Sequence, residues 1–375
     1  MNIAIIGAGP VGCYAGYLLA KSGHHQVSIY EQKSQLGIPI QCTGLLTSDF
    51  NQFNLDLTSS LVNTFSSLTV NSPSQQLKLQ QTEYLVCRQK FDNYLADLAK
   101  EAGVKMYLNH HFLRKENDYL VIKNRFTNNQ PTNNLPTLIQ IKPDVVIAAD
   151  GPLSPVAKAY GFYHPERKNY VGIQTIIKGN FAPQEYQTFF GKESCPDLFA
   201  WIVPESDKLA RVGLASIKNT RFYFNNFIKK NNFQVQEITS GIIPFYHPQQ
   251  QLQKDNCYLL GDAAGFVKAT TLGGIIPGMK QAEILADCLN NHKNYSQQIK
   301  PLTRKLKIHL RLRTIFNKVS NQDWDKLLKL VNQPKVQSIF RTHTRDNPFP
   351  LVTKALLKEP RFLYFAKYLL YSKLR

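Results

Sequence analysis

The sequence predicts an α/β fold (α+β overall), with a Rossmann-like nucleotide domain interleaved with a β-sheet domain and followed by a basic helical C-terminal region. Three observations predict it. An apolar strand, a glycine turn and a helix open the chain; a second strand-and-glycine corner returns more than 200 residues later; and positive charge gathers in the last quarter.

The elements follow in order. Residues 2–7 (NIAIIG) are a short apolar run ending in glycine and predict a buried strand. Residues 7–23 predict a glycine turn opening a helix that ends near Gly23, and 26–33 a second strand ending at Glu31. The segment 72–89 is strand-like, and 91–103 is an amphipathic helix ending at Gly103. The Asn/Pro-rich stretch 127–137 is expected at a hairpin tip, and 142–151 is an apolar strand ending in Asp-Gly. From about 165 to 250 the pattern is mostly alternating strands, suited to one wall of a pocket. Residues 256–265 predict a strand and a glycine-rich turn, and Pro277–Asn290 a helix. The expected division is a discontinuous nucleotide domain (1–50, 84–160, 251–290), a substrate domain (51–83, 161–250) and a helical region (291–375).

Composition narrows the function classes. At 375 residues, 43% hydrophobic and 19% charged, the chain suits two or three folded domains and excludes a disordered protein. No apolar stretch reaches the roughly 20 residues of a spanning helix. The N-terminus lacks a basic leader and cleavage site, so a cytoplasmic location is expected. Six scattered cysteines without a CxxC pair predict free thiols, and nine histidines without ligand spacing predict no metal. No Ser/His/Asp triad is suggested.

The net charge is +19, yet residues 289–375 hold 19 Lys/Arg against 4 Asp/Glu. This reads as an enzyme with a basic appendage. Aromatic and aliphatic residues interleave with the charges in 305–316, 324–331 and 361–375. Two readings stand: amphipathic helices docking on an anionic membrane surface, or a helical cap with an apolar inner face and solvated charges. Nucleic acid is not expected, because no reading module accompanies the basic residues.

GAGPVG fits GxGxxG through Gly7, Gly9 and Gly12, which serve the tight turn, backbone approach to a pyrophosphate and close helix–strand packing. Glu31, about 22 residues past Gly9, ends the second strand, where a carboxylate can meet ribose hydroxyls. This motif suits NAD or FAD. The distant LLGDAAG (259–265) favours FAD: Asp262 could hold a ribityl hydroxyl while Gly261 and the small residues beside it admit the cofactor's backbone, and Gly273 and Gly274 open a helix whose free N–H groups could meet a flavin's pyrimidine oxygens.

With both corners identified, the chain resembles the flavin-dependent geranylgeranyl reductase family (digeranylgeranylglycerophospholipid reductase type) among the para-hydroxybenzoate-hydroxylase-like flavoproteins, over roughly residues 1–290. Residues 87–103 resemble the arginine–Phe-Asp block and 145–158 the Asp-Gly motif, which implies roles for Arg88, Asp150 and Gly151 beside FAD. The segment 38–47 resembles the Pro–x–x–Cys–x–Gly block, implying that Cys42 and Gly44 lie near the flavin. The segment 199–216 resembles the prenyl-pocket strand through Phe199, Trp201, Pro204 and Gly213, with Val203 replacing the usual aromatic. Phe189 and Phe190 are further candidate wall residues. Where the family commonly has Asn-Pro and three glycines, this chain has Lys268, Ala269 and Leu272 before Gly273 and Gly274.

The resemblance implies reduction of prenyl C=C bonds, with hydride from reduced FAD N5 and Cys42 as the candidate for assisting protonation. The implied substrate is a prenyl lipid or prenyl diphosphate, the electron donor NAD(P)H or a ferredoxin-like carrier, and the location cytoplasmic and peripheral to the membrane. An aromatic monooxygenase or halogenase shares the nucleotide blocks, and a non-redox flavoprotein such as a prenyl cyclase or scaffold is a third reading.

Overall fold

The computed structural model describes residues 1–124, 137–162 and 166–370. The strand Asn2–Ile6 lies inside a six-stranded sheet, in the order 253–254, 257–259, 145–148, 2–6, 26–30, 105–107. It pairs in parallel with Gln26–Tyr30 and with Val145–Ala148. A strand covered on both faces has no polar side, which is why IAII is apolar at every position. Helix Pro10–Lys21 follows with proline at its first position and Gly23 just past its end, at φ 72°. It packs beside Arg88–Glu101 and Ile275–Asn290. Phe112, Leu120 and Ile122, from the three-stranded sheet 110–116, 119–124 and 138–141, enter the same core. Residues 127–136 of the expected hairpin tip lie outside the described residues, although Lys123 pairs with Leu138 on either side of them.

The second sheet has eight strands, in the order 238–244, 169–178, 209–216, 195–204, 185–191, 61–71, 76–86, 45–47. All neighbours are antiparallel except 185–191 and 61–71, which run parallel. Leu45–Thr47 and the whole of Gln76–Val86 belong to it, so the expected divisions near 50 and at 83/84 fall within this sheet. The mostly alternating strands expected for 165–250 are present, with one helix among them, Thr220–Lys230. Its Phe224, Phe227 and Ile228, spaced i, i+3 and i+4, share one buried face against the sheet.

The basic C-terminal region is not an appendage. Helices Asn321–Val331 and Pro334–Thr342 lie against the second sheet, and Lys300–Phe316, Pro348–Lys358 and the short turns Pro360–Ala366 and Lys367–Leu370 pack around them. Trp324, Leu328 and Phe365 pack on Leu77 and Leu79. The segment after 361 is tied down at Asp323, whose carboxylate accepts from Tyr364 (3.1 Å), Lys367 (3.1 Å) and Tyr368. Arg313, 1% exposed, holds three parts of the molecule at once. It donates to the carbonyls of Ala269 (2.8 Å), Thr270 (2.6 Å) and Asp197 (3.1 Å). Replacing it would leave several buried acceptors unpaired. Arg313→Met is expected to lower stability by about 3 kcal/mol in urea unfolding; a loss under about 1 kcal/mol would mean water replaces it.

Candidate functional site

The glycines of the first corner are packed against backbone. A β-carbon on Gly12 would stand 2.1 Å from the Gly7 carbonyl oxygen, and one on Gly7 would stand 2.4 Å from that of Ala149. Gly9 differs: a β-carbon there meets nothing within 4 Å and would point into open space above the helix N-terminus. No side chain caps that terminus and no acid occupies its first turn, which leaves the backbone N–H groups facing the cavity. The Glu31 carboxylate accepts from the Ala8 N–H (2.8 Å) and the Lys33 N–H (2.9 Å), so it braces the turn while lining the cavity.

The distant corner lies against the first. Val11 packs on Gly261, where a β-carbon would be 3.1 Å from it, and on Gly278, where one would be 2.6 Å away. Gln281 fixes this corner from below: its side-chain oxygen accepts from the Gly261 N–H (2.9 Å), and its amide donates to the Leu259 carbonyl (2.8 Å). The Asp262 carboxylate sits over Gly274, where any β-carbon would come within 2.8 Å of Oδ1. Burial raises the pKa of Asp262, opposed by the charges of Arg88 and Arg167. Gly274 precedes helix Ile275–Asn290, again without a side-chain cap.

Arg88 makes a two-point pair with Asp92, at 2.9 Å for both contacts. Burial works against its charge, but Asp92 and then the Cys42 thiol favour it and the net shift is upward. Cys42 accepts from the Gly44 N–H (3.4 Å). Gly44, at φ 80°, is forced by close approach: a β-carbon would lie 2.4 Å from the Val86 carbonyl oxygen. Asp150 has one oxygen bonded to the Val156 N–H (3.1 Å), while the other, Oδ1, is buried without a hydrogen-bond partner among the described residues. Burial pushes its pKa up to about 6, against the hydrogen bonds from Ser154 and Val156. Gly151 lies beside it in the cavity wall.

One cavity of about 1170 Å³ contains nearly all of this. Gly9, Glu31, Cys42, Gly44, Arg88, Asp150, Gly151, Gly261, Asp262, Gly273 and Gly274 line its nucleotide end, and Phe199, Trp201 and Phe190 line the remainder. Gly7, Gly12, Pro204 and Gly213 do not reach the wall. Gly213 acts one layer behind: opposite Trp201 in register, it leaves room for the indole ring, which a β-carbon would meet at 2.7 Å. Phe189 packs on Phe227 instead, with ring centroids 5.2 Å apart. Val203, in place of an aromatic, is a buried part of the wall.

Several residues here went unread in the sequence because their partners are far along the chain. Buried Lys268 pairs with Asp346, which also accepts from Thr47 (2.8 Å). Burial opposes the Asp346 charge, but Lys268 and Arg345 outweigh it and lower its pKa. His309 bonds Thr270 through Nδ1 (2.7 Å) and is driven down to about 3 by burial and by Lys268, so its imidazole is neutral. Arg345 pairs with buried Glu83 and donates to the Tyr186 hydroxyl (2.6 Å). The altered loop after Val267 is thus cross-linked to the C-terminal region. The lysine is the only sequence signal for this, since a cation beside a glycine pair inside a cleft requires a carboxylate.

The comparisons agree with this geometry. A family model described as an NAD(P)-binding Rossmann-like domain matches residues 5–70. A geranylgeranyl bacteriochlorophyll reductase-like protein from Thermoplasma acidophilum superposes with a TM-score of 0.79 over 98% of both chains, at 21% identity. The flavin-dependent brominase Bmp2 superposes with a TM-score of 0.71 over 98% of this chain and 100% of its own, at 15% identity. The fold is that of flavin-dependent enzymes. Among curated relatives, the digeranylgeranylglycerophospholipid reductase of Methanocaldococcus jannaschii is 26% identical over 88% of this chain and 90% of its own. The likeness to geranylgeranyl reductases read from the sequence holds.

The residues present fit FAD: an open approach above Gly9, two uncapped helix termini, an unpartnered carboxylate oxygen and adjoining glycine corners. Gly9→Val should leave the unfolding midpoint nearly unchanged and abolish flavin absorbance, whereas Gly12→Val should also destabilise the fold. Circular dichroism melts and the visible spectrum separate the two. Because Asp150 holds its proton more tightly folded than unfolded, it contributes stability at low pH that is lost as pH rises through about 6. A cofactor hydroxyl donating to Oδ1 favours the charged form. FAD affinity is therefore expected to rise from pH 5 to 7, and Asp150→Asn to flatten that rise in fluorescence titrations.

Proposed function

We propose that the protein is an FAD-dependent oxidoreductase that saturates carbon–carbon double bonds of a geranylgeranyl chain carried on a lipid or a diphosphate. The observation that supports this most is the continuity of one cavity from the nucleotide corner to an apolar compartment. That compartment is walled by Leu77, Leu79, Phe190, Ile315, Phe316 and Trp324. A prenyl chain offers almost no polar handle, so its binding rests on buried apolar area at roughly 25 cal/mol per Å².

Gly9 and Glu31 would hold the adenosine and pyrophosphate side of FAD, Arg88 and Asp150 its phosphates and hydroxyls, and Asp262, Gly273 and Gly274 its ribityl and ring end. Reduced FAD, when bound, supplies the hydride for one alkene carbon. Cys42, beside Arg88, is the candidate to give a proton from Sγ to the other carbon, leaving its sulfur to be reprotonated from solvent before the next turnover. The aromatic and aliphatic walls exclude water and align the chain. Electrons would come from NAD(P)H or a ferredoxin-like carrier, and the enzyme would work at the membrane surface where such lipids reside.

A second reading, an aromatic monooxygenase or halogenase, draws support from three polar atoms. Thr188 Oγ1, Trp201 Nε1 and His309 Nε2 are buried and without partners among the described residues, and their side chains line the same cavity. A substrate with polar groups would use them. Dithionite-reduced enzyme given geranylgeranyl lipids under anaerobic conditions should yield products heavier by steps of two hydrogens in mass spectra. No mass change, with oxygen-dependent NAD(P)H consumption and a hydroxylated or halogenated product, would establish the second reading instead.

A further inference from the structure

Helix Pro348–Lys358 is apolar on two sides. Leu351, Val352, Ala355 and Leu356 line the cavity. Phe349 and Leu357, eight residues apart and so on one stripe, stand 60% and 82% exposed. In the next turn Leu363 is 62% exposed and also lines the cavity, which makes it part of the rim. A helix that only roofs a channel needs one apolar face, so the outer one calls for a partner.

Charge identifies that partner. Lys354 and Lys358 flank Leu357 on the exposed surface. They bond His343 Nε2 (2.7 Å) and Ser338 Oγ (2.9 Å), and neither meets a carboxylate among the described residues. Residues 334–370 hold seven Lys/Arg against two Asp/Glu. Large apolar side chains interleaved with lysines suit acyl chains beneath anionic head groups.

We propose that this face, built on Phe349, Lys354, Leu357 and Lys358 beside the Leu363 rim, docks the protein on an anionic lipid surface. The cavity rim then meets the acyl boundary, and an apolar substrate passes from bilayer to channel without crossing water. The proposal rests on the reading that the cavity takes a prenyl chain, and it centres the contact on helix Pro348–Lys358, which lies outside the segments 305–316, 324–331 and 361–375 singled out in the sequence.

The test is co-sedimentation of the full-length protein with vesicles of equal parts phosphatidylglycerol and phosphatidylcholine, and with phosphatidylcholine alone. The protein should pellet with the anionic vesicles, less so as salt rises, and weakly with the neutral ones. Phe349→Ser/Leu357→Ser should weaken pelleting by about tenfold or more. Lys354→Ser/Lys358→Ser should weaken it on anionic vesicles only, and Phe222→Ser, at a 60% exposed phenylalanine elsewhere, should leave it unchanged. Wild-type protein that stays in solution, a Phe349/Leu357 variant that pellets normally, or an equal loss in Phe222→Ser would overturn the proposal. Reduction of detergent-dispersed geranylgeranyl lipid is measured in parallel. An active enzyme that does not pellet defeats the docking face alone, and one that pellets with the expected variant pattern yet reduces nothing defeats the substrate reading alone.

Discussion

The nucleotide cleft depends on the seat of Val11 between Gly261 and Gly278. Two β-carbons added there would drive the first helix off the second corner. The contact brings together segments some 250 residues apart, and it turns two separate helix termini into one extended cleft. Two uncapped positive ends facing one cavity are poorly satisfied by protein alone, and an extended anionic nucleotide completes them.

The second constraint is the way the C-terminal helices close the channel. A basic, amphipathic segment cannot roof an apolar cavity unless the charges that turn inward are neutralised. Arg313 spends its donors on three carbonyls, Lys268 meets Asp346, and Arg345 meets Glu83. Each of these pairs crosses between the helical region and an earlier part of the chain. Buried ion pairs contribute little net stability, but breaking one strands a charge, so they fix which loop lies under which helix. Among the described residues, the lysines of this region stay on the outside, as the solvated-cap reading of the sequence expects.

Much of this was legible in the sequence. The nucleotide half shows because its signals are local: IAII ends in glycine, Pro10 and Gly23 bracket one helix, and Glu31 stands at a fixed distance. The helix Thr220–Lys230 went unread although Phe224, Phe227 and Ile228 carry the helical i, i+3, i+4 spacing, because that signal spans little more than one turn between strand segments. Gly213 and Pro204 were expected in the pocket wall, but Gly213 serves Trp201 from behind, a role that depends on strand register rather than on local pattern. Asp346, His309, Arg345 and Glu83 gave no signal at all. Their meaning comes from partners 39 to 299 residues away.

The order of assembly has a cost that follows from the roof being made of the final quarter. Until roughly residue 330 has left the ribosome, Leu77, Leu79 and Phe190 have no cover on the sheet, and the nascent protein displays a greasy trough beside an otherwise finished half. Synthesis thus passes through an interval in which the trough can adhere to other chains, and a stop codon placed shortly before Trp324 would make that interval permanent.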